Sequence, residues 1–138
     1  MEYAIPLQAV AKRTFNEVEP NWKKKLNVKE AIPKLMHLEC LGDFHSHPQF
    51  GSKKGVAELS DIDKQSVEDT AIEIVAAINT SKHKTSWKAT NGEIAGSICN
   101  YNIRLAGYYK RKKDGEVVQL DILCPYAVGC DNAFKANQ

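Results

Sequence analysis

The residues that could do chemistry in this sequence lie close together, between residues 44 and 63. His45 and His47 stand two apart, and side chains two apart on a β-strand leave the same face, so both imidazoles can reach one ion. Ser60 and Asp63 stand three apart, which places them on one face of a helix. Two imidazoles and a carboxylate suit Zn²⁺ and leave a fourth position for water. Because zinc lowers the pKa of its water to about 7 and polarises carbonyls, the pattern predicts amide hydrolysis, with Ser60 as the oxyanion donor.

Each half of this pattern also has a purely structural explanation. Ser60 and Asp63 fit a capping box, in which the hydroxyl and the carboxylate serve only the helix backbone. A pair such as His45 and His47 is often exposed or hydrogen-bonded within a core. The two halves occur in order and are separated by a loop, and this conjunction favours a metal site over either structural explanation.

Two neighbouring carboxylates are secondary candidates. Asp61 adjoins the motif, but one position along a helix turns its side chain by about 100°, so Asp63 is the better ligand. Asp43 stands two residues before His45 and could accept a hydrogen bond from that imidazole, although surface exposure explains it equally well.

The elements that must position these groups are predicted from periodicity and turn residues. Strands are predicted over residues 2–8, 38–45, 71–78, 85–89, 93–100, 101–110 and 116–123, and helices from Asn27 to about residue 38 and from Ser60 to about residue 70. A polar link runs through Pro20, and residues 49–58 form a mobile loop. Asn91-Gly92 and Lys113-Asp114-Gly115 predict hairpin turns. Helices interleaved with strands indicate a mixed sheet flanked by helices, of α/β or α+β class.

Length and composition describe one ordinary domain. The 138 residues are 43% hydrophobic with a net charge of +2, which argues against a protein that coats nucleic acid or docks on anionic membranes. The longest apolar stretch, residues 71–78, is interrupted by Glu73 and is far shorter than the roughly 20 residues of a membrane span. The N-terminus lacks a secretory pattern, and four sparse cysteines do not form a disulfide scaffold. We therefore expect a cytoplasmic protein.

The motif resembles that of the JAMM metalloproteases, which carry His-x-His-Pro, a spacer and then Ser-x-x-Asp. Here eleven residues separate Pro48 from Ser60, a longer spacer than is usual in the family, and a loop tolerates such an insertion. Other stretches are similar to prokaryotic, particularly archaeal-type, members: Pro6-Leu7-Gln8, Arg13-Thr14, Ile74-Val75-Ala76-Ala77-Ile78, Ser86-Trp87 and Gly107-Tyr108-Tyr109. The resemblance therefore covers nearly the whole chain.

The resemblance implies a fold, a cofactor and a substrate class. The fold would be a JAB or MPN domain over residues 1–130, with a three-layer arrangement similar to that of cytidine deaminases, and residues 131–138 would be a tail. Zn²⁺ would be held by His45, His47 and Asp63, and Ser60 would stabilise the tetrahedral intermediate. The bond cleaved would be the amide after the C-terminal tail of a ubiquitin-like or sulfur-carrier protein.

The family's general-base glutamate has no clear counterpart. Family members carry it on an early strand that follows a first helix and precedes Gly-x-Leu-x-Gly, and this sequence lacks that glycine pattern. Glu2, forty-three residues before His45, is the candidate base by separation. Either the chain starts late, without the first helix and strand, or it lacks the base, and we favour the late start. The alternative function is a non-catalytic MPN-type scaffold with a vestigial metal site.

Overall fold

The computed structural model describes residues 10–13, 18–20, 39 and 41–122. The chain divides into two compact units, Met1–Leu41 and Gly42–Gln138. In the first unit, strands β1 (Val10–Arg13) and β2 (Val18–Pro20) pair antiparallel. The sequence predicts a polar link through Pro20 and gives no sign of these two strands, because strands this short, with one β-branched residue each, leave little pattern in a sequence. The predicted strand over residues 2–8 with Glu2, the predicted helix after Asn27 and the tail lie outside the described residues.

The second unit is built on a six-stranded mixed sheet. Its elements are β3 (Gly42–Pro48), α1 (Asp61–Ser66), β4 (Ile72–Thr80), β5 (Lys88–Thr90), β6 (Glu93–Ile98), β7 (Tyr101–Lys110) and β8 (Val117–Leu120). The strand order is β3-β4-β7-β6-β5, and β8 also pairs with β7. Only the β3–β4 pair is parallel among these strands, and α1 lies in the connection between its two members. The coarse prediction of an α/β fold with a mixed sheet is confirmed.

Strand β7 organises the sheet. It pairs with β4 from Tyr101 to Tyr109, while β6 and β8 share its other edge. The β5–β6 turn has positive φ at both Asn91 (53°) and Gly92 (77°), as a type I′ turn requires. Both predicted hairpins are confirmed, because each is specified by a turn and two adjoining strands, all local in sequence.

One face of the sheet carries both the core and the candidate site. Val75 and Ala77 of β4 are fully buried, and they pack in a cluster with Leu59 and Val67, which flank α1, and with Tyr108 of β7. In the parallel register His45 lies opposite Val75 and His47 opposite Ala77. Because side chains alternate along strands, both histidines project from the core face.

Helix α1 is shorter than predicted, ending at Ser66 instead of near residue 70. Val67 adopts an extended conformation, its side chain is buried, and its carbonyl accepts a hydrogen bond from Lys110 Nζ (2.9 Å). The helix thus ends where Val67 contacts β7, and the periodicity of the sequence carries no information about contacts with a distant strand. Within residues 10–13, 18–20, 39 and 41–122, no helix combines the length and apolar character needed to cross a bilayer.

Several strand boundaries also differ from the prediction, among them those of β3 and β5. β3 continues through His47 to Pro48, beyond the predicted end at residue 45, because β3 is an edge strand of this sheet and an edge strand tolerates proline. β5 begins at Lys88 instead of residue 85. The Ser97 N–H donates to the Thr85 carbonyl (3.1 Å), but the Thr85 N–H donates to the Ser97 side chain (3.0 Å), so only half of the backbone pairing forms at this position.

Candidate metal centre

The two motif histidines bring their outer ring nitrogens together. Nε2 of His45 and Nε2 of His47 lie 3.0 Å apart on the core face of β3. Their rings are tilted by 56°, with centroids 4.8 Å apart, so they converge on a point instead of stacking. The sequence prediction that alternation would direct both imidazoles to one place is confirmed.

Asp63 completes the cluster from the first turn of α1. Its Oδ2 lies 3.7 Å from Nε2 of His45 and 3.5 Å from Nε2 of His47. A tetrahedral zinc ion with bonds of about 2.0–2.2 Å separates its ligand atoms by about 3.3–3.6 Å. The three distances of 3.0, 3.5 and 3.7 Å lie around that range, so these residues could hold a metal ion.

The inner nitrogens of both rings have acceptor partners. Nδ1 of His45 lies 2.7 Å from Oε1 of Glu73, and Nδ1 of His47 lies 2.9 Å from the carbonyl oxygen of Val56. A carbonyl or carboxylate oxygen only accepts, so each Nδ1 carries the hydrogen and each Nε2 presents a lone pair. Two facing lone pairs at 3.0 Å repel each other unless a cation, either a proton or a metal ion, lies between them. The donor set therefore fits a metal ion.

The local charges favour a bound cation. Burial alone would lower the pKa of His45, but the hydrogen bond with Glu73 and the charges of Asp63 and Glu73 raise this pKa above its ordinary value. Burial alone would raise the pKa of Asp63, but hydrogen bonds with Ser60 and the neighbouring histidines hold this pKa below its ordinary value. The site favours positive charge on the His45 ring and negative charge on the Asp63 carboxylate, an environment that also suits a metal cation.

The capping box predicted as an alternative is present as well. Ser60 Oγ accepts from the Asp63 backbone N–H (3.1 Å), and Asp63 Oδ2 accepts from the Ser60 backbone N–H (2.8 Å). The cap and the metal cluster use the same side chains, so the two explanations are compatible. A hydroxyl that accepts through its oxygen still has its own hydrogen to donate, and Ser60 keeps that capacity at the edge of the cluster.

The loop after β3 is tied to the sheet at three successive residues. The Asn79 amide donates to the Gly55 carbonyl (2.9 Å) and accepts from its N–H (2.8 Å). The next carbonyl, of Val56, bonds to His47, and that of Ala57 accepts from the buried Tyr108 hydroxyl (2.7 Å). A Cβ on Gly55 would lie 1.9 Å from the His47 carbonyl oxygen, so only glycine allows this approach. These contacts fix residues 55–57, and the Val56 carbonyl in this segment orients the His47 ring.

A polar cavity of about 440 Å³ also borders this loop. Its lining includes Lys54, residues 55–57, Asn79 and an ion pair in which Arg104 donates to Glu93 Oε2 (Nη2 to Oε2, 2.6 Å). Residues 55–57 therefore line the cavity and also supply the carbonyl that orients His47.

The secondary candidates are not among the three side chains of the cluster. The Asp61 side chain is 94% exposed and pairs with Lys64 (3.7 Å), so it is not a ligand in this arrangement. The acceptor 2.7 Å from His45 Nδ1 is Glu73, a carboxylate that the sequence did not offer as a candidate. The available signal for Glu73 was the single charge interrupting an apolar strand, but its partnership with His45 depends on a parallel register that the sequence does not specify.

The comparisons with known proteins give no relative for this chain. No protein-family model, no curated protein and no solved structure matches it.

Proposed function

We propose that the chain is a zinc-dependent metallopeptidase or isopeptidase with a JAB or MPN-like fold. The observation that carries the proposal is the convergence of two Nε2 lone pairs and one carboxylate oxygen, each ring being held from behind by a hydrogen-bond acceptor. Three protein ligands suit a catalytic zinc site, which keeps one coordination position open, better than a structural site, which has four.

The residues around the cluster have distinct roles in this proposal. His45, His47 and Asp63 hold the ion, and zinc, when bound, supplies Lewis-acid activation of a carbonyl and of water. The Ser60 hydroxyl donates a hydrogen bond to the developing oxyanion. The reaction also requires a carboxylate that takes the proton from the attacking water and passes it to the leaving amine; Glu2 is a candidate for that role only by its separation from His45 in the sequence.

The substrate class is supported by the motif resemblance alone. We propose the amide bond that follows the C-terminal tail of a ubiquitin-like or sulfur-carrier protein, cleaved in the cytoplasm. A second candidate, a non-catalytic scaffold, is favoured by the complete capping box, because capping alone accounts for Ser60 and Asp63.

Zinc content separates these candidates. We expect about one zinc per chain in protein purified without a histidine tag or chelators, and almost none in the His47→Ala variant. His83→Ala is the matched control, because His83 is an exposed histidine outside the cluster. Wild-type protein that takes up no zinc at neutral pH contradicts the metallopeptidase and supports the scaffold. Release of a fluorogenic amine from the C-terminus of ubiquitin then tests peptidase activity of the zinc-loaded chain.

A further inference from the structure

Glu73 is a carboxylate in an unusual place. It lies near the start of β4, where it interrupts an apolar run that extends to Ile78, and only 15% of its side chain is exposed. A carboxylate removed from water costs free energy unless a partner compensates it. Within residues 41–122, the partner of its side chain is His45 Nδ1 at 2.7 Å. The hydrogen bond with His45 therefore accounts for a carboxylate at this largely buried position.

We infer that Glu73 is a positioning residue of the metal centre, which fixes the tautomer of His45 and supplies the charge that balances a divalent cation. This inference rests on the proposed metal site. By accepting the Nδ1 hydrogen, Glu73 directs the Nε2 lone pair of His45 towards His47 and Asp63. Glu73 is not itself a ligand of that ion, because its carboxylate lies at the opposite nitrogen of the ring.

The charges of the cluster support this role. Two neutral imidazoles and the Asp63 carboxylate carry one negative charge, so a divalent ion leaves one positive charge uncompensated in a partly buried site. Glu73 supplies the second negative charge and makes the centre neutral. Burying a neutral centre costs less than burying a charged one, so Glu73 favours divalent cations.

The two histidines are consequently unequal ligands. His47 donates to the neutral carbonyl of Val56, whereas His45 donates to a carboxylate. A hydrogen bond to a charged acceptor is stronger than one to a neutral acceptor and makes the ring a better electron donor. We therefore expect His45 to be the more strongly held ligand.

The experiment measures zinc affinity in the full chain by competition with a chromogenic chelator at fixed pH and salt. Glu73→Leu removes the acceptor, and we expect affinity to fall by roughly 10–100-fold, as is typical when a carboxylate behind a metal-bound histidine is lost. Glu73→Gln keeps the shape but removes the charge, and we expect a smaller loss. Glu93→Gln is the matched control, because Glu93 is a strand carboxylate of similar exposure (16%) that pairs with Arg104. Its zinc affinity should stay within twofold of wild type.

A second measurement does not need the metal. A long-range nitrogen–proton correlation spectrum of the histidine rings, recorded at alkaline pH on metal-free protein, should show His45 as the Nδ1–H tautomer in wild type and a shift towards Nε2–H in Glu73→Leu. Unchanged zinc affinity and an unchanged tautomer in the folded variants overturn the inference while leaving the metal site intact. If Glu73→Leu does not fold, the affinity of Glu73→Gln decides. If wild type binds no zinc, the proposed function fails, and the tautomer still reports whether Glu73 positions His45.

Discussion

Oδ2 of Asp63 takes part in both the helix cap and the candidate metal centre. It accepts from the Ser60 N–H at 2.8 Å and lies 3.5–3.7 Å from the two imidazole nitrogens. A bound ion and a backbone N–H both favour the charged form of the carboxylate, so the two interactions reinforce each other. The hydrogen bond from the Ser60 N–H thus fixes the position of the Asp63 carboxylate even though the helix has only six residues.

Variants at Asp63 and Ser60 should separate capping from metal binding. Asp63→Asn keeps an oxygen for the cap but loses the charge, so we expect zinc binding to be lost with only a small change in the free energy of unfolding. Ser60→Ala removes the cap acceptor, so we expect a loss of about 1 kcal/mol in stability with zinc content unchanged. Urea unfolding and metal analysis measure both effects. Full zinc content in Asp63→Asn would show that the carboxylate serves the cap alone.

The sequence predicts those parts of the candidate site that depend on residues close together in the chain, and it does not predict those that depend on distant residues. The sequence predicts the pair His45 and His47 because alternation along a strand depends on residues two apart. It predicts the pair Ser60 and Asp63 because a helix turn brings residues three apart together. Glu73 lies twenty-eight residues from His45, and its role depends on which strands pair and in what register. The Val56 carbonyl has no signature at all in the sequence, because every residue carries that group.

At the scale of elements, the β3–α1 loop acts as part of the site. Its residues 55–57 are held by side chains from β3, β4 and β7: His47, Asn79 and Tyr108. The sequence predicted a loop here because of its glycines, serine and lysines. It could not predict the attachment, since each anchoring side chain comes from a strand whose place in the sheet is set by long-range pairing.

Gly55→Ala should displace this loop and weaken the metal centre. The added Cβ would meet the His47 carbonyl oxygen at 1.9 Å, so the loop must move away and His47 loses its acceptor. We expect a loss of stability of about 1–3 kcal/mol, as for other overpacked sites, together with weaker zinc binding. Gly51→Ala is the control: it lies in the same loop at φ 55° with open space around it. That variant should lose stability through backbone strain alone and bind zinc normally, whereas equal zinc affinity in both variants would argue against the loop's role.

The Tyr108 anchor should make stability fall at alkaline pH. Burial, together with the negative charges of Glu58 and Glu93, raises the pKa of Tyr108 above its ordinary value of 10.0. Its contribution to stability is therefore complete below that value. As the pH rises above it, the unfolded chain ionises first, and the contribution is lost on the way to the raised pKa of the folded state.

Tyr108→Phe tests this linkage. The variant lacks the hydroxyl that donates to Ala57, so we expect it to be less stable than wild type at neutral pH by about 1 kcal/mol, the net value of a typical hydrogen bond. The difference between the two proteins should shrink as the pH passes 10. Urea unfolding at several pH values on both sides of 10 measures it, and a constant difference would mean that Tyr108 ionises equally in both states.

At the scale of the whole second unit, an ion in the candidate metal centre would join elements that otherwise share few contacts. Helix α1 has no buried residue of its own, and only its flanking residues Leu59 and Val67 reach the core. β3 pairs with β4 and, in the described part of the chain, with no other strand. An ion held by His45, His47 and Asp63 would therefore fasten the helix directly to this strand.

Zinc should accordingly stabilise α1 more than the centre of the sheet. A ligand that binds only the folded state adds about 2.7 kcal/mol at a free concentration one hundred times its Kd. We expect hydrogen exchange to slow most at the amides of Lys64 and Val67, whose N–H groups donate to Ser60 and Asp63, because these open without breaking the sheet. The amides of β7, which is paired on both edges, exchange through global unfolding, so zinc should slow their exchange only by the factor by which it reduces global unfolding. The His47→Ala variant should show neither change on adding zinc, and uniform protection of wild type would mean that the ion does not act through the helix.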